Sequence, residues 1–408
     1  MLKSSRAAVF LVLVLGALVG ALGIAGTAQA RSWDEILAAA RGQTVYFNAW
    51  AGDPRTNDFI AYIGAEAAKR YGVTVQQVKL NDTAEAVTRV VAEKANGRNE
   101  GGSVDLIWIN GPNFLAMKSQ KLLFGPFAET LPNYRFVDTT HTQTNLIDFT
   151  IAVDGFEAPW RKAQLVFVYD SARSPLAGLP KSIPAMLDWA KAHPGRLTHA
   201  NVRNYMGVTF LKQALYELVA DPKVLQSPAT DANFESVTAP LWRWYDQLKP
   251  LLWRQGSQFP ESYTAQRQLL ADGEIDLSIS FDPAEAAADI ATGVLPKTAR
   301  VYVLDRGTIG NTSFVAIPYN AAHKEGAMVV ANLLLDPAIQ AHAQDPKVLG
   351  AFTVLDMDKL SPEQRKAFDR PADAPGLPSN ADLGTSLLEP HPSWMTRIVS
   401  EWEKRYVK

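Results

Sequence analysis

The chain has no cysteine, so no disulfide braces it and no thiol can carry a lipid anchor or serve as a metal ligand. Histidine is also scarce. The six that occur, His141, His193, His199, His323, His342 and His391, show no close pairing or ligand spacing, so no metal site is legible. A G-x-S-x-G turn is missing, as is any serine beside a histidine that could activate it, which removes the usual signs of a nucleophilic hydrolase. An excess of one charge is missing too: 40 basic residues against 42 acidic give a net charge of −2. Nucleic-acid binding needs a basic face, and this balance offers none. There is no internal repeat, and the nearest thing to a linker is the proline-rich tract 370–378. Without disulfides the fold must rest on core burial, and 408 residues supply enough core for two lobes.

What is present begins with a leader. Lys3 and Arg6 precede a nearly uninterrupted apolar stretch over 7–25, and Ala28-Gln29-Ala30 follows as a small-x-small cleavage site. That order is a secretory signal peptide over 1–30, expected to be cut after Ala30 and to leave a periplasmic product. The apolar stretch is also long enough to span a membrane as an anchor, but the well-placed cleavage site favours removal.

Three strand-to-helix units then follow one another. Residues 44–49 read as a strand, and Trp50-Ala51-Gly52-Asp53-Pro54 ends it, with Asp53 able to cap a helix that Pro54 opens. The strand 73–80 meets Asn81-Asp82-Thr83-Ala84-Glu85, where Asp82 and Glu85 stand at capping-box spacing. The buried strand 104–109 empties into Asn110-Gly111-Pro112-Asn113 and a further helix. Such recurrence predicts a parallel sheet with helices on its faces, whose carboxyl edge is where ligands collect. Beyond Trp160, a strand over 163–169 starts a second series, with strands over 196–200 and 275–280. The latter ends in Phe281-Asp282-Pro283-Ala284-Glu285, with Asp282 as cap. Strands over 300–304 and 312–317, joined by 305–311, would return the chain to the first lobe. The remainder reads mostly as helices.

Asp53, Asp82 and Asp282 could therefore reach a cleft between two sheet edges, although each serves equally well as a helix cap worth about 1 kcal/mol. Trp50, Trp108, Trp160, Tyr205 and Phe281 lie in or beside the same loops, with Asn81, Asn110, Asn113 and Asn311. Each aromatic is a core candidate taken singly. Aromatics flanking carboxylates suit an organic cation, so the preference at this stage is a cationic or amine-bearing solute, thiamine-like or polyamine-like, bridging Asp53 and Asp282.

DLIWINGPNF, GPF, APWRKAQLVFVYDSAR, MGVTFLKQALYELV, DLSISFDPAEA and GTIGNTSFVAIPYNAAHKEGAMVVANLLLDP together resemble the YnjB family of periplasmic substrate-binding proteins of ABC importers. That family is related to the thiamine-, iron- and polyamine-binding branch, and the resemblance covers essentially the whole chain after the leader. It implies a two-lobed α/β fold of the periplasmic binding protein type (type II), each lobe an α/β sheet, joined by a hinge of crossing strands. The expected division is 31–160 with 301–325 as one lobe, 161–300 as the other, and 326–408 as a helical segment packing on both. The iron-binding relatives use paired tyrosines, and no Tyr-Tyr occurs here. The implied function is capture of a small solute and delivery to a membrane permease, by a monomer, with no cofactor, no chemistry and no nucleic acid. A secreted hydrolase using cleft carboxylates, or a structural periplasmic protein, are the competing readings.

Overall fold

A computed structural model of the chain describes residues 31–369, 375–378 and 382–407. The leader read over 1–30 and most of the proline-rich tract lie outside the described residues.

After a short helix, Trp33–Ala40 (α1), the strand-to-helix unit runs three times. Thr44–Trp50 (β1) leads into Pro54–Tyr71 (α2), Thr74–Leu80 (β2) into Ala84–Ala95 (α3), and Leu106–Ile109 (β3) into Pro112–Ser119 (α4). β1 lies parallel to β2 and β3, with Thr44 opposite Thr74 and Phe47 opposite Leu106. Parallel neighbours need a long crossover, which the helices supply. Gly72 ends α2 at φ 69°, a left-handed turn that glycine takes without strain. A small hairpin, Ile147–Asp148 (β4) with Ile151–Ala152 (β5), then precedes the long strand Glu157–Gln164 (β6).

One residue later the chain changes sheets. Val166–Asp170 (β7) pairs antiparallel with Ser278–Ser280 (β8) and Ala299–Tyr302 (β9) as a separate three-stranded sheet. Between β7 and β9 lie the helices Ile183–Ala192 (α5), Tyr205–Leu218 (α6), Phe234–Leu248 (α7), Tyr263–Ala271 (α8) and Glu285–Ala291 (α9). Thr308–Ala316 (β10) returns to the first sheet, antiparallel to both β3 and β6, and Ser386–Leu387 (β11) closes its edge. The remaining helices are Lys324–Leu334 (α10), Pro337–Gln344 (α11), Pro362–Lys366 (α12) and Pro392–Tyr406 (α13). The first sheet runs β11-β10-β3-β1-β2 with β6 on β10.

Each sheet has its own core, so the molecule is two-lobed α/β. Val45, Phe47, Phe59, Ile63 and Trp160 pack with Val329 and Leu333 of α10 and Ile339 of α11. Phe167, Phe210, Trp244 and Tyr245 pack with Trp394, Ile398 and Trp402 of α13. With each fully buried large apolar side chain worth about 1.5–3 kcal/mol, these cores replace any need for a covalent brace. Trp242 and Trp244 of α7 are core residues, and Trp253 is half-buried.

Several local expectations need correction. The apolar run expected as one strand over 163–169 is two strands, because the Gln164 N–H donates to Phe281 O while the Leu165 N–H donates to Ile309 O. Residues 196–200 form no strand beyond a single bridge from Leu197 to Leu277. There the Gln266 side chain replaces a strand partner, accepting from Ala200 N at 3.0 Å and donating to Thr198 O at 3.0 Å. The strand expected over 275–280 is confined to β8, and the link expected over 305–311 ends at Gly307, so Asn311 sits inside β10. Helix α6 starts at Tyr205, capped by Asn204. Glycine at 207 is required there, since a Cβ would lie 2.2 Å from Ala200 O.

Candidate functional site

β1 ends at Trp50, and the chain turns back over that indole. A Cβ on Gly52 would lie 2.2 Å from the Trp50 ring, so only glycine allows this turn. Asp53 then caps α2, its carboxylate accepting from Arg55 N at 3.2 Å and from the Thr56 hydroxyl at 3.2 Å. The cap fixes Arg55 on the first turn. Its Nε stands 3.5 Å from Asp53, and Nη2 reaches 4.0 Å from Glu285 on the second lobe. Glu285 itself lies 3.1 Å from Arg267, which also stands 3.2 Å from Asp289. A second contact between the lobes is uncharged: the Thr264 hydroxyl donates to the Gly52 carbonyl at 3.3 Å.

Arg161, on the crossing strand β6, stands beneath these groups. Its guanidinium carbon is 4.8 Å from the Trp108 ring and 4.9 Å from the Trp160 ring. Trp50 meets Trp108 edge-on at 6.3 Å, and Trp108 meets Trp160 edge-on at 5.1 Å. Trp160 stacks on Phe59 and is 2% exposed, so it belongs to the core, whereas Trp50 and Trp108 are half-buried.

Burial and charge compete throughout this cluster. Burial draws the Arg161 pKa down, and Asp282 and Asp53 pull back against it. At Arg55 burial acts in the same sense, but Asp282, Asp53, Glu285 and Asp289 outweigh it and raise the pKa. Burial lifts Glu285 well above the usual carboxylate range, with Asp289 adding to the lift, and it raises Asp289 as well. Three buried N–H groups have no hydrogen-bond partner here: Arg55 Nη1, Arg161 Nε and Trp160 Nε1.

The structure thus brings together Trp50, Asp53, Trp108, Trp160 and Asp282 of the residues singled out from sequence. Asp282 is a turn-former more than a cap. Its Oδ1 accepts from Ala284 N at 3.0 Å, ahead of a helix whose own N-cap, Ala284, has no side-chain bond. Asp82 does the same for Ala84 at 2.7 Å, while Glu85 accepts from the backbone of Asn81 and Asp82. Asn81 and Asp82 are exposed and Asn113 is half-buried on the first turn of α4.

Tyr205, Phe281, Asn110 and Asn311 belong to a neighbouring buried network. Lys212 donates to Glu389 Oε2 at 2.6 Å, the Tyr205 hydroxyl donates to Glu389 Oε1 at 2.6 Å, and Asn311 donates to the Tyr205 hydroxyl at 3.0 Å and to Glu389 Oε1 at 3.2 Å. The Lys212 ammonium also lies over the rings of Phe149 and Tyr205. Phe281 packs edge-on to Tyr205 at 5.5 Å. Asn110 donates to Thr312 O at 2.7 Å and to Asp148 at 3.3 Å, and Asp148 accepts from Gly111 N at 2.6 Å. The Tyr205 hydroxyl and the side-chain NH2 groups of Asn110 and Asn311 are thereby occupied internally.

Sequence reasoning missed Arg55, Arg161 and Arg267. The adjacent charges Arg161 and Lys162, directly after Trp160 in the crossing strand, were the one available signal for Arg161. Among the described residues Asp138, His141 and Asp356 come close enough to share a cation, but Asp138 already accepts from Thr140 N, His141 N and the Thr142 hydroxyl.

Residues 63–356 match the family described as bacterial extracellular solute-binding protein. The chain is similar to protein YnjB of Escherichia coli strain K12, with 42% identity over 393 residues, covering 96% of this chain and 98% of that protein. Among solved structures it is similar to the Tp0655 (TpPotD) lipoprotein of Treponema pallidum. The TM-score is 0.64 at 13% identity, over 89% of this chain and 99% of that one. It is also similar to an ABC transporter substrate-binding protein from Bradyrhizobium japonicum USDA 110, with a TM-score of 0.61 at 15% identity, over 90% of this chain and 100% of that one. At such identities the solved structures speak for the fold alone.

Proposed function

The chain belongs to the bacterial extracellular solute-binding protein family, and from that membership we propose that its small solute is captured in the cleft between the lobes and passed to an ABC permease. The observation that carries this reading is the pair of contacts across the cleft. Thr264 reaches the carbonyl of Gly52, which packs on the half-buried Trp50, and Arg55 reaches Glu285; Trp50 in turn meets the half-buried Trp108. In this reading the lobes comprise 31–160 with 301–325 and 161–300, and the segment 326–408 packs on both. The solute touches Trp50, Asp53, Trp108 and Asp282, to which Arg55 and Arg161 are added. Asn81, Asp82, Asn113, Trp160, Tyr205, Phe281, Asn110 and Asn311 frame the site from farther out. The protein acts as a monomer in the periplasm after loss of its leader, and it binds without transforming what it binds.

Native mass spectrometry of the exported chain, purified without refolding, tests the reading. The expected spectrum shows one small organic molecule per chain that is lost on denaturation, on a polypeptide beginning at Arg31. A bare chain whose melting temperature is also unmoved by the low-molecular-weight pool of a cell extract would overturn it.

A further inference from the structure

The carboxylates expected to attract a cation already have partners. Asp53 accepts from Arg55 N and Thr56, Asp282 accepts from Ala284 N, and Glu285 and Asp289 share Arg267. Arginines of the protein itself lie against Asp53, Glu285 and Asp289. What lacks a partner is mostly donors: Arg55 Nη1 and Arg161 Nε are buried and unbonded, and a guanidinium has no acceptor capacity to offer a cation. A buried N–H without a partner is costly, so a solute oxygen placed there has more to offer than one placed in water.

We infer that the solute is a small organic oxyanion, its negative group held by Arg55 and Arg161 and its body lying against Trp50 and Trp108. This deepens the cleft reading and rests on it. The geometry favours arginine's use here. Arg161 is packed against the faces or edges of two indoles, which holds its planar fork without occupying all its N–H groups. Arg–oxyanion bonds are charge-assisted and shorter and stronger than neutral ones. The nearby acids do not defeat this. Burial lifts Glu285 well above its usual range and raises Asp289, which weakens the charge these two present to a bound anion, and both already lie against Arg267. Asp289 Oδ2 is the carboxylate oxygen of the cluster that is buried without a hydrogen-bond partner.

The test uses the leader-free chain, dialysed from denaturant and refolded, and the low-molecular-weight pool of a bacterial extract separated on anion and cation exchangers. Ligand that binds only the folded state raises the melting temperature in proportion to the logarithm of its excess over Kd. The anion-exchange-retained fraction is expected to raise it. Arg161→Met should weaken that response at least tenfold, and Arg161→Lys should fall between. Asp282→Asn, which keeps the oxygen that Ala284 N uses and removes a negative charge from the site, should strengthen affinity several-fold. Circular dichroism of the unliganded variants checks that each is folded. A melting shift carried by the cation-retained or unretained fraction, weakened by Asp282→Asn and untouched by Arg161→Met, would overturn the anion while leaving solute capture intact. If neither the fractions nor the whole pool shifts the melting temperature, it is the cleft reading that fails.

Discussion

Replacing Lys212 with alanine is expected to cost about 3–5 kcal/mol of folding stability, because it leaves a buried carboxylate without its counter-charge. The Lys212 and Glu389 side chains are 0% and 1% exposed, and their atoms lie 2.6 Å apart. Tyr205 and Asn311 still donate to Glu389 in the variant, but neutral donors do not balance a charge taken out of water. The same pair is a poor stabiliser relative to an apolar replacement of equal shape, because both charges had to be desolvated. Lys212→Met combined with Glu389→Gln should therefore recover most of the loss, to within roughly 2 kcal/mol of the parent. Urea unfolding of the parent, both single variants and the double variant measures this directly. A Lys212→Ala loss below about 1 kcal/mol, a value typical of exposed pairs, would show that the pair is hydrated in solution. Because Glu389 comes from the C-terminal segment and Lys212 from α6, the pair also ties that segment to the second lobe.

The second large effect is a pH dependence centred on Asp148. Burial pushes its carboxyl from 3.8 up to about 8, against the opposing hydrogen bonds from Gly111 and Asn110. Nearby Glu157 is also fully buried, with neither carboxylate oxygen bonded, and burial followed by the charge of Asp148 raises it well above its usual range. For a group whose folded pKa lies above the unfolded one, the unfolded chain releases its proton first. The stability the group contributes is then complete below about pH 4 and is lost as pH rises through about 8, at about 1.4 kcal/mol per pH unit. Asparagine at 148 keeps an oxygen for the Gly111 N–H and removes the titration. The stability of Asp148→Asn relative to the parent should therefore improve by roughly 2–4 kcal/mol between pH 5 and pH 8. Denaturant midpoints at the two pH values decide it, and a difference that stays constant would mean that Asp148 is ionised at both.

Much of this was legible locally. The turn from Trp50 to Pro54 carries its strand end, its cap and its helix start within five residues, so Asp53 could be placed from sequence. Asp282 could be placed too, though its bond to Ala284 N forms a turn ahead of α9. What escaped depends on distant partners. Arg161 takes its meaning from Trp108, Asp53 and Asp282, and Glu389 takes its meaning from a lysine 177 positions away. Nothing near either residue signals those neighbours. The sheet change at Leu165 was hidden for a related reason. The run over 163–169 is apolar but for Gln164, and such a run looks alike whether its N–H groups bond to one sheet or to two; only Phe281 and Ile309 separate the cases. The missing strand at 196–200 shows the converse, since a glutamine side chain from α8 satisfies that backbone. The preference for a cation rested on acids visible beside aromatics; Arg55 stood two positions after Asp53, whereas Arg161 and Arg267 become neighbours of the acids only after folding.

The absence of native cysteine makes the central claim directly measurable, because one cysteine can be placed in each lobe and spin-labelled without competition. Asn81 and Glu261 are exposed and suit the purpose. The interlobe distance distribution would be recorded by pulsed dipolar spectroscopy on ligand-stripped protein, then again with the low-molecular-weight pool of a bacterial extract added. A solute cleft that closes by rigid-body motion of the lobes requires a shorter, narrower distribution with the pool and a return to the longer one after dialysis. An identical distribution in all three samples would contradict the account.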